Sequence, residues 1–212
     1  MNSMNIRDLL SVAAAAISTS SIIVNGTTMA PLLPKTADDL IGFWNAGLSV
    51  IAIQNDRIIG HAAIEPLIGE WFELGAVWVD PSARGAEGKH PHVGLRLYRA
   101  LLERHREKNI LATTVNPAAM TVGWRVDLVP ILYEQLPQEV WAATCCCPAT
   151  KTGVPRDQNV PHCTMRQKSC FVRITSKTWQ RIGCPEPCTL PILRPESSAT
   201  IPDDDIVILL AG

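Results

Sequence analysis

The chain has 212 residues, 47% of them apolar, 18% charged and 5% aromatic, with a formal net charge of -1 and seven Cys. That size fits one domain, or one domain with an appendage, and the apolar share excludes wholesale disorder. The near-neutral balance supplies no long-range field to collect nucleic acid or an anionic membrane, so any anion site must come from a local arrangement of groups.

Leu9 to Ile17 is the first apolar stretch. It is too short to span a bilayer. As a secretion signal it is poor, because Arg7 is neutralised by Asp8 and Ser18-Thr19-Ser20-Ser21 has no small-residue cleavage pattern. The expectation is a cytoplasmic protein whose residues 1–30 form an N-terminal extension, either an amphipathic helix with Leu9, Ala13, Ala16 and Ile17 on one face or a frayed segment.

Thr36-Ala37-Asp38-Asp39 is a helix start, a Thr cap with acids in the first turn, and Gly47 ends that helix. Leu48 to Gln54 and Arg57 to Ile64 are β-branched apolar runs around the turn Asn55-Asp56, which predicts a hairpin. Trp71 to Val79 is a third strand, closed by Pro81. Val93 to Arg106 carries Val93, Leu97, Ala100, Leu101 and Arg104 on one stripe and Arg96, Arg99, Glu103 and Glu107 outward, the pattern of an amphipathic helix. Ile110 to Val115 is a short buried strand, and Asn116-Pro117 starts another helix. The order β-β-β-α-β-α predicts an α/β or α+β layered sheet.

Composition changes near residue 145. All seven Cys and seven of the 16 Pro lie between Cys145 and Pro195, together with eight Lys or Arg against Asp157 and Glu186, a local charge of +6 that leaves -7 for the rest. Three readings of the cysteines stand beside one another. Cys145-Cys146-Cys147, His162-Cys163, Cys170, Cys184 and Cys188 offer soft ligands for zinc or an iron-sulfur cluster, although no C-x-x-C pair is present. Disulfides are a second reading, against which an odd count and a cytoplasmic setting weigh. Buried thiols, some of them reactive or redox-sensing in the basic surroundings, are the third. Phe171 and Trp179 are the segment's only aromatics, too few to stack single-stranded nucleic acid. Phe171 to Thr175 is a strand-like run that would close the sheet, making residues 134–168 an insertion.

From Val50 to Leu128 the sequence resembles the GCN5-related N-acetyltransferases (GNAT family). The residues that carry the resemblance are Arg57-Ile58-Ile59-Gly60, then Val77-Trp78-Val79-Asp80-Pro81-Ser82-Ala83-Arg84-Gly85, then Gly94-Leu95-Arg96-Leu97, and Asn116-Pro117-Ala118-Ala119. The resemblance implies a mixed, mostly antiparallel sheet flanked by helices, with residues 31–144 as the acetyl-CoA-binding core. Residues 145–212 would be a Cys/Pro-rich basic segment that supplies a closing strand and a C-terminal tail. It further implies that backbone amides of Arg84, Gly85 and the following loop hold the pyrophosphate at the start of a helix, where glycines admit the phosphates and the dipole favours them. Val77, Trp78 and Val79 would pair with the pantetheine as an added strand does, one of their N–H groups facing the thioester oxygen. The glycine pattern departs from the family's: Glu87 and Lys89 stand where glycines belong, so Gly88, Gly94 and Leu95 would complete the cradle and Lys89 would offset Glu87. His90 and His92 read as a solvated loop pair without a metal.

Transfer to an amine needs a base, and Glu73 is the candidate, four residues before Val77, with Glu70 and His61 in reserve. Strand alternation would put Glu73, Gly75, Val77 and Val79 on one face. Asn116 reads either as a bond to the pantetheine or as a plain helix cap. No Tyr stands at the family's general-acid position, which falls at Gly123, leaving Tyr133 or water. The functional expectation is an acetyl-CoA-dependent N-acetyltransferase of a primary amine, on a small molecule or a protein, with no nucleic acid or membrane partner and with a homodimer allowed. The alternative is a non-catalytic module of the same fold whose cysteine cluster binds zinc or senses redox state.

Overall fold

The computed structural model describes residues 5–19, 22–24, 27–29, 35–84, 92–114, 116–126, 128–131, 136–144, 169–173 and 206–211. Its elements in chain order are α1 (Ile6–Thr19), β1 (Ile22–Val24), β2 (Thr27–Met29), α2 (Ala37–Asn45), β3 (Ser49–Gln54), β4 (Arg57–Ile68), β5 (Trp71–Val79), α3 (Val93–Arg104), β6 (Asn109–Thr114), α4 (Pro117–Arg125), β7 (Val129–Ile131), α5 (Gln138–Thr144), β8 (Ser169–Arg173) and β9 (Val207–Leu210). Strands β3 to β9 form a mixed, mostly antiparallel sheet flanked by helices, while β1 and β2 pair antiparallel as a separate two-stranded sheet. The chain divides into two compact units, one of Met1–Glu65, Leu74–Arg106 and Leu193–Gly212, the other of Pro66–Glu73 and Glu107–Ile192. Strands β4 and β5 run through both.

In the first unit the strand order is β9-β3-β4-β5. The hairpin of β3 and β4 turns at Asn55 and Asp56, both with positive φ (48° and 58°), as a two-residue type I′ turn requires. Opposite Ala52 and Ile53 stand Gly60 and Ile58, so Ile59 is an extra residue that bulges β4. On the far side of β3 the end of the chain returns as β9, a strand the sequence pattern did not announce.

Helices cover both faces of this unit. Helix α1 buries Leu9, Leu10, Ala13, Ala14 and Ile17 against Leu40 of α2 and against Ile51, Ile53, Ile58, Ala63, Ala76 and Trp78 of the strands. Ala16 of the expected stripe is only partly buried. The start of α2 is tied by a reciprocal cap: Thr36 Oγ1 accepts from Asp39 N–H at 3.1 Å, and Asp39 Oδ2 accepts from Thr36 N–H at 2.7 Å. The backbone bond to Thr36 is the main cause that holds the Asp39 carboxyl below the ordinary carboxylate value. Gly47, at φ +72°, follows the helix end.

On the other face α3 lies close to β4. A Cβ at Gly60 would stand 2.8 Å from Leu97 Cδ1, 3.0 Å from Val93 Cγ1 and 3.3 Å from the Trp78 carbonyl oxygen. That glycine is therefore what lets the first turns of α3 rest on the strand. In the second unit β6 lies between β5, which it meets in parallel from Trp71↔Asn109 to Glu73↔Leu111, and β8, which it meets antiparallel. β8 in turn pairs with β7. The strand expected over Phe171 to Thr175 is thus β8, beginning two residues earlier. Among the described residues no helix is long and apolar enough to cross a membrane.

Overpacking at the approach of α3 to β4 has a measurable cost. Gly60→Val is expected to destabilise the protein by about 1–3 kcal/mol. Denaturant unfolding of the variant against wild type measures it, and an unchanged midpoint would contradict the close contact.

Candidate active site

In the first unit the candidate site is built on the end of β5 and the start of α3. Ala76 sits inside β5 with φ +49°, a left-handed conformation that costs a residue with a Cβ about 1–2 kcal/mol. Its carbonyl oxygen does not waste the distortion: His61 Nδ1 donates to it at 2.8 Å. His61 is fully buried beside its register partner Ile51. The acceptor is a carbonyl, so Nδ1 carries the proton and Nε2 is a bare lone pair, which has no hydrogen-bond partner among the described residues. Burial pushes the ring down to about 4, against the raising effect of the bond to Ala76. A ring with no exposure and that basicity cannot collect a proton from an amine, which removes His61 from the reserve bases.

Burial alternates along β5 on both sides of the left-handed residue, and Glu73 is half-buried. Leu74, Ala76 and Trp78 are buried, while Gly75, Val77 and Val79 are half-buried. The Trp78 and Leu95 side chains belong to the core, so only their backbones can serve a ligand. The ladder between β5 and β6 consists of three pairs and ends at Glu73↔Leu111, so Val77 and Val79 lie beyond it.

After Val79 the side chain of Asp80 accepts from Ser82 N–H (2.8 Å) and Ser82 Oγ (2.5 Å), shaping a single turn of 3-10 helix at Pro81–Ala83. Arg84 closes that turn with its own N–H on the Pro81 carbonyl (3.3 Å), and its Nε donates back to the Val79 carbonyl (2.8 Å). The amide and Nε of Arg84 are therefore committed within the turn. Its two terminal nitrogens are the groups it can offer an anion. Gly85, Gly88 and Lys89 lie outside the described residues. Helix α3 starts at Val93 after His92 in a left-handed conformation (φ 101°), and its first accepted intrahelical bond from the cap is Arg96 N–H to His92 O at 2.8 Å. The N–H groups of Val93, Gly94 and Leu95 precede it, and they are the first-turn donors that a helix leaves for an anion.

The second unit holds Glu73 and Asn116. Thr113 Oγ1 donates to Glu73 Oε1 at 3.1 Å, orienting a half-buried carboxylate. The Lys108 ammonium lies 4.3 Å from the Phe72 ring centroid. Asn116 caps α4, its Oδ1 accepting from Ala118 N–H at 3.0 Å. The capping reading of Asn116 is thus realised, and only its Nδ2 donors remain to serve a ligand. Tyr98 lies on the buried side of α3, where burial pushes its hydroxyl up to about 12. Tyr133 and six of the seven Cys lie outside the described residues, and Cys170 is in β8. Among the described residues no three His, Cys, Asp or Glu side chains are gathered to hold a metal.

The buried ring makes stability depend on pH. An unfolded His titrates near 6.5 and the folded one near 4, so between these values the unfolded chain takes up a proton that the folded one refuses. The contribution is complete above pH 6.5 and falls as pH drops, reaching a loss of about 3 kcal/mol near pH 4. Denaturant unfolding at pH 7 and pH 4.5 is expected to show this decrement in wild type and its absence in His61→Phe.

Residues 24–121 match the model described as Acetyltransferase (GNAT) family. No curated protein sequence matches the chain. Among solved structures, one from Mycobacterium tuberculosis in complex with CoA and NLQ is similar with a TM-score of 0.50 at 17% identity, over 78% of this chain and 95% of that one. A ribosomal-protein-alanine N-acetyltransferase from Brucella melitensis has a TM-score of 0.45 at 20% identity, over 61% of this chain and 84% of that one. N-acetylglutamate synthase from Neisseria gonorrhoeae, complexed with coenzyme A and N-acetyl-glutamate, has a TM-score of 0.43 at 16% identity, over 68% of this chain and 28% of that one. The first likeness agrees with the mixed sheet and its flanking helices. With strand, turn and helix in the order the motif requires, the chain carries a domain of the GNAT acetyltransferase family over residues 24–121.

Proposed function

We propose that the protein is an acetyl-CoA-dependent N-acetyltransferase that acylates a primary amine. The observation that carries this reading is the peptide turned out of the strand at Ala76, in a strand that leads through Val77-Trp78-Val79-Asp80-Pro81 to the N-terminus of α3. A backbone so shaped suits a thioester: it offers an edge for amide pairing, a donor for the acyl oxygen and a helix start for phosphates. The M. tuberculosis structure of the same fold holds CoA, which is consistent with that use.

In this reading Val77 and Val79 pair with the pantetheine amides, while the first-turn N–H groups of α3, the terminal nitrogens of Arg84, and Gly85, Gly88 and Lys89 serve the pyrophosphate. Glu73, oriented by Thr113, takes the proton from the attacking amine, directly or through water. The amine nitrogen bonds to the acyl carbon, the carbon–sulfur bond breaks, and the thiolate takes a proton from water, giving an amide and free CoA. Thiolate is a tolerable leaving group, so the missing Tyr at Gly123 does not forbid the reaction. Asn116 contributes its Nδ2 donors to the pantetheine.

Calorimetric titration of the reduced protein with acetyl-CoA is the first test, with micromolar binding expected. Absence of binding at millimolar cofactor would move the reading to the non-catalytic module with a metal- or redox-responsive cysteine cluster. For the base, Glu73→Gln is expected to keep acetyl-CoA affinity and to lower kcat about 100-fold or more, with loss of the acidic limb of the pH profile. Unchanged turnover and pH dependence would remove Glu73 from the mechanism.

A further inference from the structure

His61 is a buried nitrogen base inside an otherwise apolar strand, and nothing in the acyl-transfer chemistry above uses it. Among the described residues its Nε2 has no partner, a cost proteins seldom retain without a return. The return lies at Nδ1. In a trans peptide the C=O and N–H point in opposite directions, and the described residues contain no cis bond. The Ala76 carbonyl points toward a side chain of β4. The N–H of the same peptide, that of Val77, is therefore turned away from the His61 ring.

We propose that His61 is a positioning residue for the oxyanion donor: its Nδ1–H holds the Ala76–Val77 peptide turned, so that the Val77 N–H meets the acyl oxygen of the thioester. This rests on the acyltransferase reading, and it assigns the donor that reading leaves unassigned. His61 does not touch the substrate. Its neutral ring acts as a fixed hydrogen-bond donor at the back of the peptide whose front does the work. A donor held in place before the substrate arrives needs no reorganisation during the reaction.

The test uses the full chain, His61→Phe, which keeps an aromatic ring without a donor, and His61→Asn, whose side-chain amide can place an N–H where Nδ1 stands. Three readouts are taken. The HN–Hα coupling and Cα shift of Ala76 report its φ in the free protein, the carbonyl carbon shift of acetyl-CoA labelled at C1 reports the bond to the acyl oxygen, and kinetics separate kcat from KM. In His61→Phe, Ala76 is expected to leave the left-handed region, the bound carbonyl shift to move upfield toward its value in water, and kcat to fall about 100-fold, the effect of losing one oxyanion donor. Affinity for CoA, which has no acyl oxygen, is expected to stay within about 3-fold of wild type. His61→Asn is expected to restore the carbonyl shift and at least about a tenth of the wild-type kcat. A folded His61→Phe protein that keeps Ala76 left-handed, or keeps the bound carbonyl shift and kcat, overturns the proposal. A wild-type protein that binds no acetyl-CoA overturns the acyltransferase reading and the donor role with it, while the Ala76 coupling still decides whether His61 holds the backbone.

Discussion

Strand β4 is buried on both faces from Ile58 to Ile64, and the first unit is arranged around that constraint. A strand covered by helices on both sides has no solvent face, so each position must be apolar, absent or hydrogen-bonded. Gly60 and His61 are two opposite answers at adjacent residues. Gly60 removes its side chain and lets Val93 and Leu97 of α3 approach. His61 points the other way, beside Ile51 in the core shared with α1 and α2, and spends its polar atom on the backbone of β5. The same two residues thereby set the helix start against the sheet and hold the peptide of the neighbouring strand.

The left-handed residue would be expected at Gly75, since glycine adopts positive φ without penalty. It falls on Ala76 instead, and the reason is space. A Cβ at Gly75 would stand 2.9 Å from Glu65 Oε1. That carboxylate is paired with Lys35 Nζ at 2.6 Å, and the ammonium lies 5.5 Å from the Phe43 ring centroid. Gly75 is thus occupied in clearing a half-buried ion pair, and Ala76, the smallest residue with a side chain, takes the strained backbone. The bond from His61, worth about 1 kcal/mol net for a neutral pair, is of the size needed to offset it.

Much of this was legible in sequence where a residue type has one local use. Thr36 with acids after it capped a helix, Asn55-Asp56 turned a hairpin, Trp71 to Val79 emerged as β5 to the residue, and the stripe of Val93, Leu97 and Leu101 became the buried side of α3. What stayed hidden depends on partners distant in sequence. Nothing in an alanine announces a left-handed φ, and a His in an apolar run shows that a polar atom needs a partner without saying which. The return of Val207–Leu210 beside β3 was hidden for the same reason, since edge pairing is decided by the strand it meets.

The division of labour follows from which backbone is held by the core. The Ala76–Val77 peptide is fixed by a buried ring and Glu73 is oriented by Thr113, whereas the departures from the family's glycine pattern fall at Glu87 and Lys89, between the 3-10 turn and α3. On the acyltransferase reading, contacts to the pyrophosphate are made equally in the ground state and the transition state, so changing them alters affinity. A donor to the acyl oxygen strengthens as charge develops there, so it alters rate. On that reading the departures at Glu87 and Lys89 fall on KM, while His61 and Thr113 support the groups that act on rate.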